Sequence, residues 1–348
     1  MQIVAGSRRH RSYGWTARGE AEPTALSSRS EKAFAKMELD ALLQRELTDV
    51  LPNSVTSVEV ELDLGALELK NQILESFDDL IARKQFRFGI LYELTKLRLM
   101  LCENGKLRII NKYTGPTDTD YSLKIEILLT KAGFENIAIL QQNGHQVVEA
   151  TRRPYLVELY RNDLIVREIV EPADCLRCHD FAQEYFYFKD YNYNIEIARQ
   201  FDLNSDMFAV FDKSNRILAI GRSAARVPGY YCPFMYATEQ NGQHIIVPPE
   251  FVRFCEVMVL FRDGKMGSIA FKCIVEILLK FYYENAHYDS FWTTYDVTDI
   301  YTGVYYKKRF QLSDYHKILV YRDFGGNWNL INTKKIKELY ETRRTIFR

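Results

Sequence analysis

The chain has 348 residues, 47% of them hydrophobic and 26% charged, which is enough for two buried cores rather than one. Its 46 basic residues balance 46 acidic ones, so no net field selects nucleic acid or an anionic membrane as a partner. Charge breaks the longest apolar runs well short of the roughly 18 to 20 residues that span a bilayer, and the N-terminal MQIVAGSRRHRSYGW lacks a signal-peptide core; a cytoplasmic protein without a membrane span is expected.

Residues 1–153 alternate short apolar strands with helical segments, the pattern of a parallel sheet wound with helices on both faces. The strands read as IVAG, PTALSS, SVEVELDL, DDLIA, KLRIINKY, NIAIL and QVVEAT. Between them, EKAFAKMELDALLQREL and GILYELTKLRLMLCENG carry apolar residues at helical spacing, the second ending on a glycine suited to a helix C-cap. The order predicts a Rossmann-like domain.

Within it, SFDDLIARKQF, LYELTKLRLMLCENGKLRIINKY and ILLTKAGFENIAILQQNGHQVVEATRRP together resemble the second half of class I methyltransferases. The resemblance implies a site for S-adenosylmethionine at a glycine turn after the first strand and an acid holding the ribose. The corresponding turn, Ala5-Gly6-Ser7-Arg8-Arg9-His10, has the single glycine Gly6, and LSSRS after the second strand supplies no acid. Two readings follow: a degenerate scaffold kept for structure or partner binding, or a cofactor site using replacements such as Asp63 at the end of the third strand. Arginines in the turn also suit a phosphate.

Residues 154–348 have a different character. The strand pair YLVELYRNDLIVREIV precedes an amphipathic helix containing Cys175-Leu-Arg-Cys178-His179. That CxxCH spacing matches c-type haem attachment, but covalent attachment requires export and no targeting segment is visible, so a plain helix is the reading preferred. The six cysteines are otherwise isolated in apolar surroundings, no second pair offers zinc-ligand spacing, and no metal is expected. The aromatic run YFYFKDYNYNIEI lacks the basic density of a base-stacking surface and reads as a wall against a ligand or core. After it come strands MFAVFD, ILAIGRS and FCEVMVLF, helix SIAFKCIVEILLKFYYENAHY, strand FWTTYDV, helix DIYTGVYYKKRF and strand HKILVYRDF.

This order resembles the GNAT acyltransferase fold, and more narrowly the branch of acyl-homoserine-lactone synthases and long-chain N-acyl amino acid synthases. The matching residues are Leu176, Arg177 and Phe181; Asp202, Ser205, Phe208, Val210 and Asp212; Gly221 and Arg222; and Glu256 followed by Val259, Leu260 and Phe261. The branch's arginine three positions after the strand acid is Val259 here. The resemblance implies a mixed α/β domain with Arg177, Asp202 and Arg222 toward the substrate. It also implies transfer of a long acyl group from a coenzyme A or acyl-carrier-protein thioester to the amine of an amino acid or similar small molecule, with no tightly bound cofactor.

Such transfer needs a base for the ammonium, donors for the thioester carbonyl and an acid for the leaving thiolate. Glu256, an acid within an apolar strand, is the candidate base or ammonium anchor, against the plain alternative of a solvent-facing strand residue. Arg262-Asp263-Gly264-Lys265-Met266-Gly267-Ser268 lies where a phosphate of the donor would meet helix amides, or is a plain strand-to-helix turn. Tyr306, in a segment resembling the one where such proteins face a tyrosine to the leaving sulfur, is the candidate acid.

Overall fold

A computed structural model of the protein describes residues 35–37, 50, 52–62, 64, 90–113, 119–160, 163–187, 193–239, 241–245, 247, 251, 253–262, 264–286, 288–297, 300–320 and 327–333. All of them fall in one compact unit. The strands expected at IVAG, PTALSS and DDLIA lie outside the described residues, as do Gly6 and Asp63.

The first sheet is built from β1 (Ala35–Met37), β2 (Val55–Leu62), β3 (Leu101–Asn111), β4 (Phe134–Gln142) and β5 (His145–Arg152), in the order β1-β2-β3-β5-β4. β1, β2 and β3 are parallel, and β5 and β4 close the sheet antiparallel. In β2, VTSVEVEL turns Val58, Val60 and Leu62 inward at every second position. The β4–β5 turn is Asn143-Gly144, both at positive φ (51° and 82°), as a two-residue hairpin loop requires. Helices α1 (Ile90–Met100) and α2 (Thr119–Lys131) belong to this layer.

Two expectations are corrected here. Ala35–Met37 lies inside the segment expected as a helix, yet it pairs parallel with Val58–Val60, because edge pairing to β2 overrides a weak helical pattern. The helix expected to end at Gly105 ends at Met100, and LCENG opens β3. Asn104 takes φ 59°, and the register against β2 jumps from Val55↔Leu101 to Ser57↔Lys106. A Cβ on Gly105 would lie 2.7 Å from the Cys102 carbonyl oxygen, so the glycine serves a bulge rather than a helix cap.

The second sheet has nine strands: β6 (Val157–Tyr160), β7 (Leu164–Ile169), β8 (Ser205–Phe211), β9 (Ile217–Ala225), β10 (Thr238–Glu239), β11 (Phe254–Phe261), β12 (Ser290–Asp296), β13 (Ser313–Val320) and β14 (Asn327–Thr333). Their order is β10-β13-β14-β12-β11-β9-β8-β7-β6. Helices α3 (Pro172–Tyr187) and α4 (Ile195–Arg199) lie between β7 and β8; α5 (Lys265–Phe281) links β11 to β12, and α6 (Ile300–Phe310) follows β12. The elements read from the sequence between β7 and β13 occur in the expected order, with α4, a 3-10 turn (Pro233–Tyr236) and β10 added among them. β14 was not anticipated, and it inserts between β12 and β13.

β11 and β12 run parallel with α5 as their crossover, while β6, β7, β8, β9 and β11 are antiparallel neighbours. α5 is strongly amphipathic and seats Ile274 and Leu278 on Gly221 of β9, where an added Cβ would lie 2.6 Å from Leu278 and 2.8 Å from Ile274. One apolar cluster joins Leu97, Leu101 and Leu107 of the first layer to Val166, Val210 and Leu278 of the second. Two buried ion pairs cross the same junction. Glu168 of β7 meets Arg98 of α1 at 2.6 Å, and Asp206 of β8 meets Lys131 of α2 at 2.6 Å.

Candidate active site

The site is organised by the point at which β11 and β12 separate. Glu256↔Trp292 is their last partnered position; beyond it β11 follows β9 as far as Phe261↔Ala219, and β12 follows β14 as far as Asp296↔Trp328. Diverging parallel strands leave a wedge that side chains must line. Here that wedge is a narrow apolar cleft between Val257, Val259, Phe291 and Thr293 of the strands, the apolar face of α5, and Tyr306 of α6. At its start the Thr293 hydroxyl reaches across and donates to the Val257 carbonyl at 2.8 Å.

Beside this opening, Gly264 enters α5 at φ 102°, a backbone conformation that favours glycine. A Cβ on Gly267 would lie 1.6 Å from the Arg262 carbonyl oxygen, so only glycine fits there. Ser268 returns both its N–H (3.0 Å) and its hydroxyl (3.1 Å) to the Gly264 carbonyl. Gly264 and Lys265 are exposed, whereas Asp263 lies outside the described residues. Arg262 points away from the turn: its guanidinium meets Glu184 at 3.1 Å, donates to the Ile217 carbonyl at 2.9 Å and lies over the Phe181 ring.

Alternation along β11 puts Glu256 and Met258 on the face opposite Val257 and Val259. Glu256 is 8% exposed, and its carboxylate accepts the Phe234 N–H at 2.6 Å. Phe234 belongs to a 3-10 turn, Pro233–Tyr236, whose N-cap residue Cys232 offers no side-chain cap, so Glu256 supplies the anion at that helical end. The ring of Phe234 stacks on Trp292 at 5.2 Å. From there the chain runs on to β10, which pairs with β13 at the far edge of the sheet; the segment from β9 to β10 is therefore a strap across this face.

Arg222 of β9 sits directly opposite Met258 and hence on the same face as Glu256. Its guanidinium donates to Ser205 Oγ (3.0 Å) and the Ala198 carbonyl (2.6 Å) and stands 3.7 Å from Asp202. Asp202 in turn holds His179 Nε2, 3.0 Å from both carboxylate oxygens, while His179 Nδ1 meets the Tyr193 hydroxyl at 2.9 Å. His179 is 2% exposed, and Asp202 is the half-exposed member of this chain. Burial pushes the Tyr193 hydroxyl well above its ordinary range, with Arg222 opposing. It pushes the Cys178 thiol up to about 12, so neither cysteine of the CxxCH run is a ready nucleophile.

Asp202 and Arg222 are thus brought together, and Glu256 shares their face. Arg177 is placed elsewhere, bonded to Asp174 (2.8 Å) and to the Asn215 carbonyl (2.8 Å). Tyr306 lines the cleft on the other side of β11 from Glu256. His179, Tyr193, Thr293 and the strap were not anticipated. The one available signal was His179 standing four residues after Cys175, on the inner side of an amphipathic helix. Among the described residues no cluster of histidine, cysteine and carboxylate side chains could hold a metal ion, and no helix is long and apolar enough to cross a membrane.

No protein-family model matches the chain, and no curated protein does. Among solved structures it is similar to an N-acyl amino acid synthase from uncultured soil microbes, at 12% identity over 52% of this chain and 97% of that one, with a TM-score of 0.42. It is also similar to a ribosomal-protein-S5-alanine acetyltransferase from Vibrio fischeri (10% identity, 51% and 96% covered, TM-score 0.35). A spermidine N-acetyltransferase from Vibrio cholerae in complex with CoA and spermine gives 10% identity, 51% and 98% covered, and a TM-score of 0.34. At these identities and scores the likeness decides neither activity nor substrate.

Proposed function

We propose that the chain is an N-acyltransferase that moves a long acyl group from a coenzyme A or carrier-protein thioester to the amine of an amino acid or similar small molecule. The observation that carries this reading is the divergence of β11 and β12 just after Glu256↔Trp292, which opens an apolar cleft walled by Tyr306. A thioester seated in that opening would have the candidate acid Tyr306 on one side of β11 and the candidate base or ammonium anchor Glu256 on the other. Glu256 would have to exchange the Phe234 N–H for the incoming ammonium, and Asp202 with Arg222 would form the rim that orients the acceptor. The exposed turn at Gly264 and Lys265 suits the donor's phosphate.

A second reading, a non-catalytic binding protein on this scaffold, draws support from Thr293, whose hydroxyl engages the Val257 carbonyl at the start of the wedge. Methyl transfer by the first layer rests on sequence resemblance alone; titration of S-adenosylmethionine by calorimetry tests it, and absence of heat leaves that layer as scaffold. For the acyltransferase, purified protein is incubated with acyl thioesters and an amino-acid mixture, and N-acyl products are sought by mass spectrometry. Product formation that falls in Glu256→Gln supports the reading. Absence of product with every donor supports the binding protein.

A further inference from the structure

The cleft has a direction, visible in how its lining changes along α5. Phe271, Val259 and Tyr306 are half-buried and form its mouth, whereas Leu278 (2% exposed) and Tyr282 (1%) are closed off. Phe271 and Tyr282 are eleven positions apart, so the apolar lining extends roughly 16 Å along the helix at a rise of about 1.5 Å per residue. That is far longer than an acetyl group needs and suits an unbranched alkyl chain.

What lies behind Tyr282 is a polar island. Asp206 of β8 holds Lys131 at 2.6 Å and accepts the Tyr288 hydroxyl at 3.2 Å; the Tyr288 ring meets the Tyr282 ring edge-on at 5.5 Å. The Tyr282 hydroxyl faces Ser223 and Cys255 and makes no well-directed hydrogen bond among the described residues. An alkyl chain that passed Tyr282 would have to desolvate or displace a buried ion pair, which is strongly unfavourable. Lys131 comes from α2 in the layer of the first sheet, so that layer supplies part of the barrier.

We propose that Tyr282 is the floor of the cleft and sets the longest acyl chain the protein accepts, backed by the Lys131–Asp206 pair of the first layer. This rests on the acyltransferase reading. It assigns the first layer a part in substrate selection that needs no cofactor of its own. Chain length is then read by shape at Tyr282, and each methylene beyond the floor costs about tenfold or more in kcat/KM.

The test uses the full chain and a series of saturated acyl-coenzyme A thioesters of increasing length, with binding measured by calorimetry alongside turnover. The wild type should show a sharp upper limit. Tyr282→Leu and Tyr282→Met should each move that limit to longer chains, with about a tenfold gain for the first thioester beyond the wild-type limit. Tyr282→Phe, which keeps the ring, should leave the limit where it is. An upper limit unmoved in both shortened variants, at wild-type melting temperature, overturns the floor assignment while leaving the acyltransferase reading intact. Failure of every acyl thioester to bind the wild type overturns both.

Discussion

The two faces of β11 differ in what their side chains are doing. On the face of Glu256, the polar groups are engaged with one another or with backbone: Glu256 with Phe234 N–H, Arg222 with Ala198 and Ser205, His179 with Asp202 and Tyr193. On the face of Val257, α5 stands over an apolar cleft, and the ion pairs Glu168–Arg98 and Asp206–Lys131 join the two layers away from its lining. A ligand on the second face would meet apolar side chains, whereas chemistry on the first requires a ligand that replaces an existing partner. On the proposed reading, binding and catalysis would be separated by one strand.

The contrast can be broken most severely at Glu168, which accepts from Arg98 (2.6 Å), Arg153 (2.8 Å) and the Leu156 N–H (3.1 Å). Burial alone would raise its carboxyl, but Arg98 and Arg153 override burial and hold it down at about 2. The folded value lies below the free value of 4.5, so the stability it contributes is complete above about pH 4.5 and is lost as pH falls through about 2. Glu168→Gln should cost about 4 kcal/mol at neutral pH and flatten the acid limb, measured by urea unfolding across that range. Gly267→Ala forces a Cβ onto the Arg262 carbonyl and should cost about 3 kcal/mol in the same assay.

On the Glu256 face the effects are functional before they are structural. Glu256→Gln keeps an acceptor for Phe234 N–H but removes the charge; turnover should fall about a hundredfold with a melting temperature close to wild type. His179→Gln removes the ring that fixes Asp202, and should cost about 1 kcal/mol while raising KM for the amine more than it lowers kcat. The smallest change is Thr293→Val. It frees the Val257 carbonyl for an amide of the donor, and affinity for an acyl-coenzyme A should rise a few-fold; a fall would mean that the Thr293 hydroxyl is part of the donor site.

Much of the second sheet was legible because its strands are short apolar runs bounded by polar turns, and the helix behind FCEVMVLF has a strong apolar face. β14 was not: NWNLINT carries three asparagines, and its place between β12 and β13 is fixed by long-range pairing. Gly105 shows the same limit, since a glycine after an apolar helical run signals a cap unless partner register demands a bulge. Glu256, Asp202, Arg222 and Tyr306 could be named singly from the sequence, whereas His179, Tyr193 and Thr293 could not. Nor was their grouping legible, because His179 meets Asp202, and Glu256 meets Phe234, through separations of 23 and 22 positions.

The most direct test places a block in the cleft mouth without touching the polar face. Val259 is half-buried at that mouth, and Val259→Trp would fill it. The wild type is predicted to form N-acyl product from a long-chain acyl thioester and an amino acid, detected by mass spectrometry, and Val259→Trp to lose that product while keeping its fold by circular dichroism. Product formation undiminished by the block, or none from the wild type with any thioester, would contradict the account.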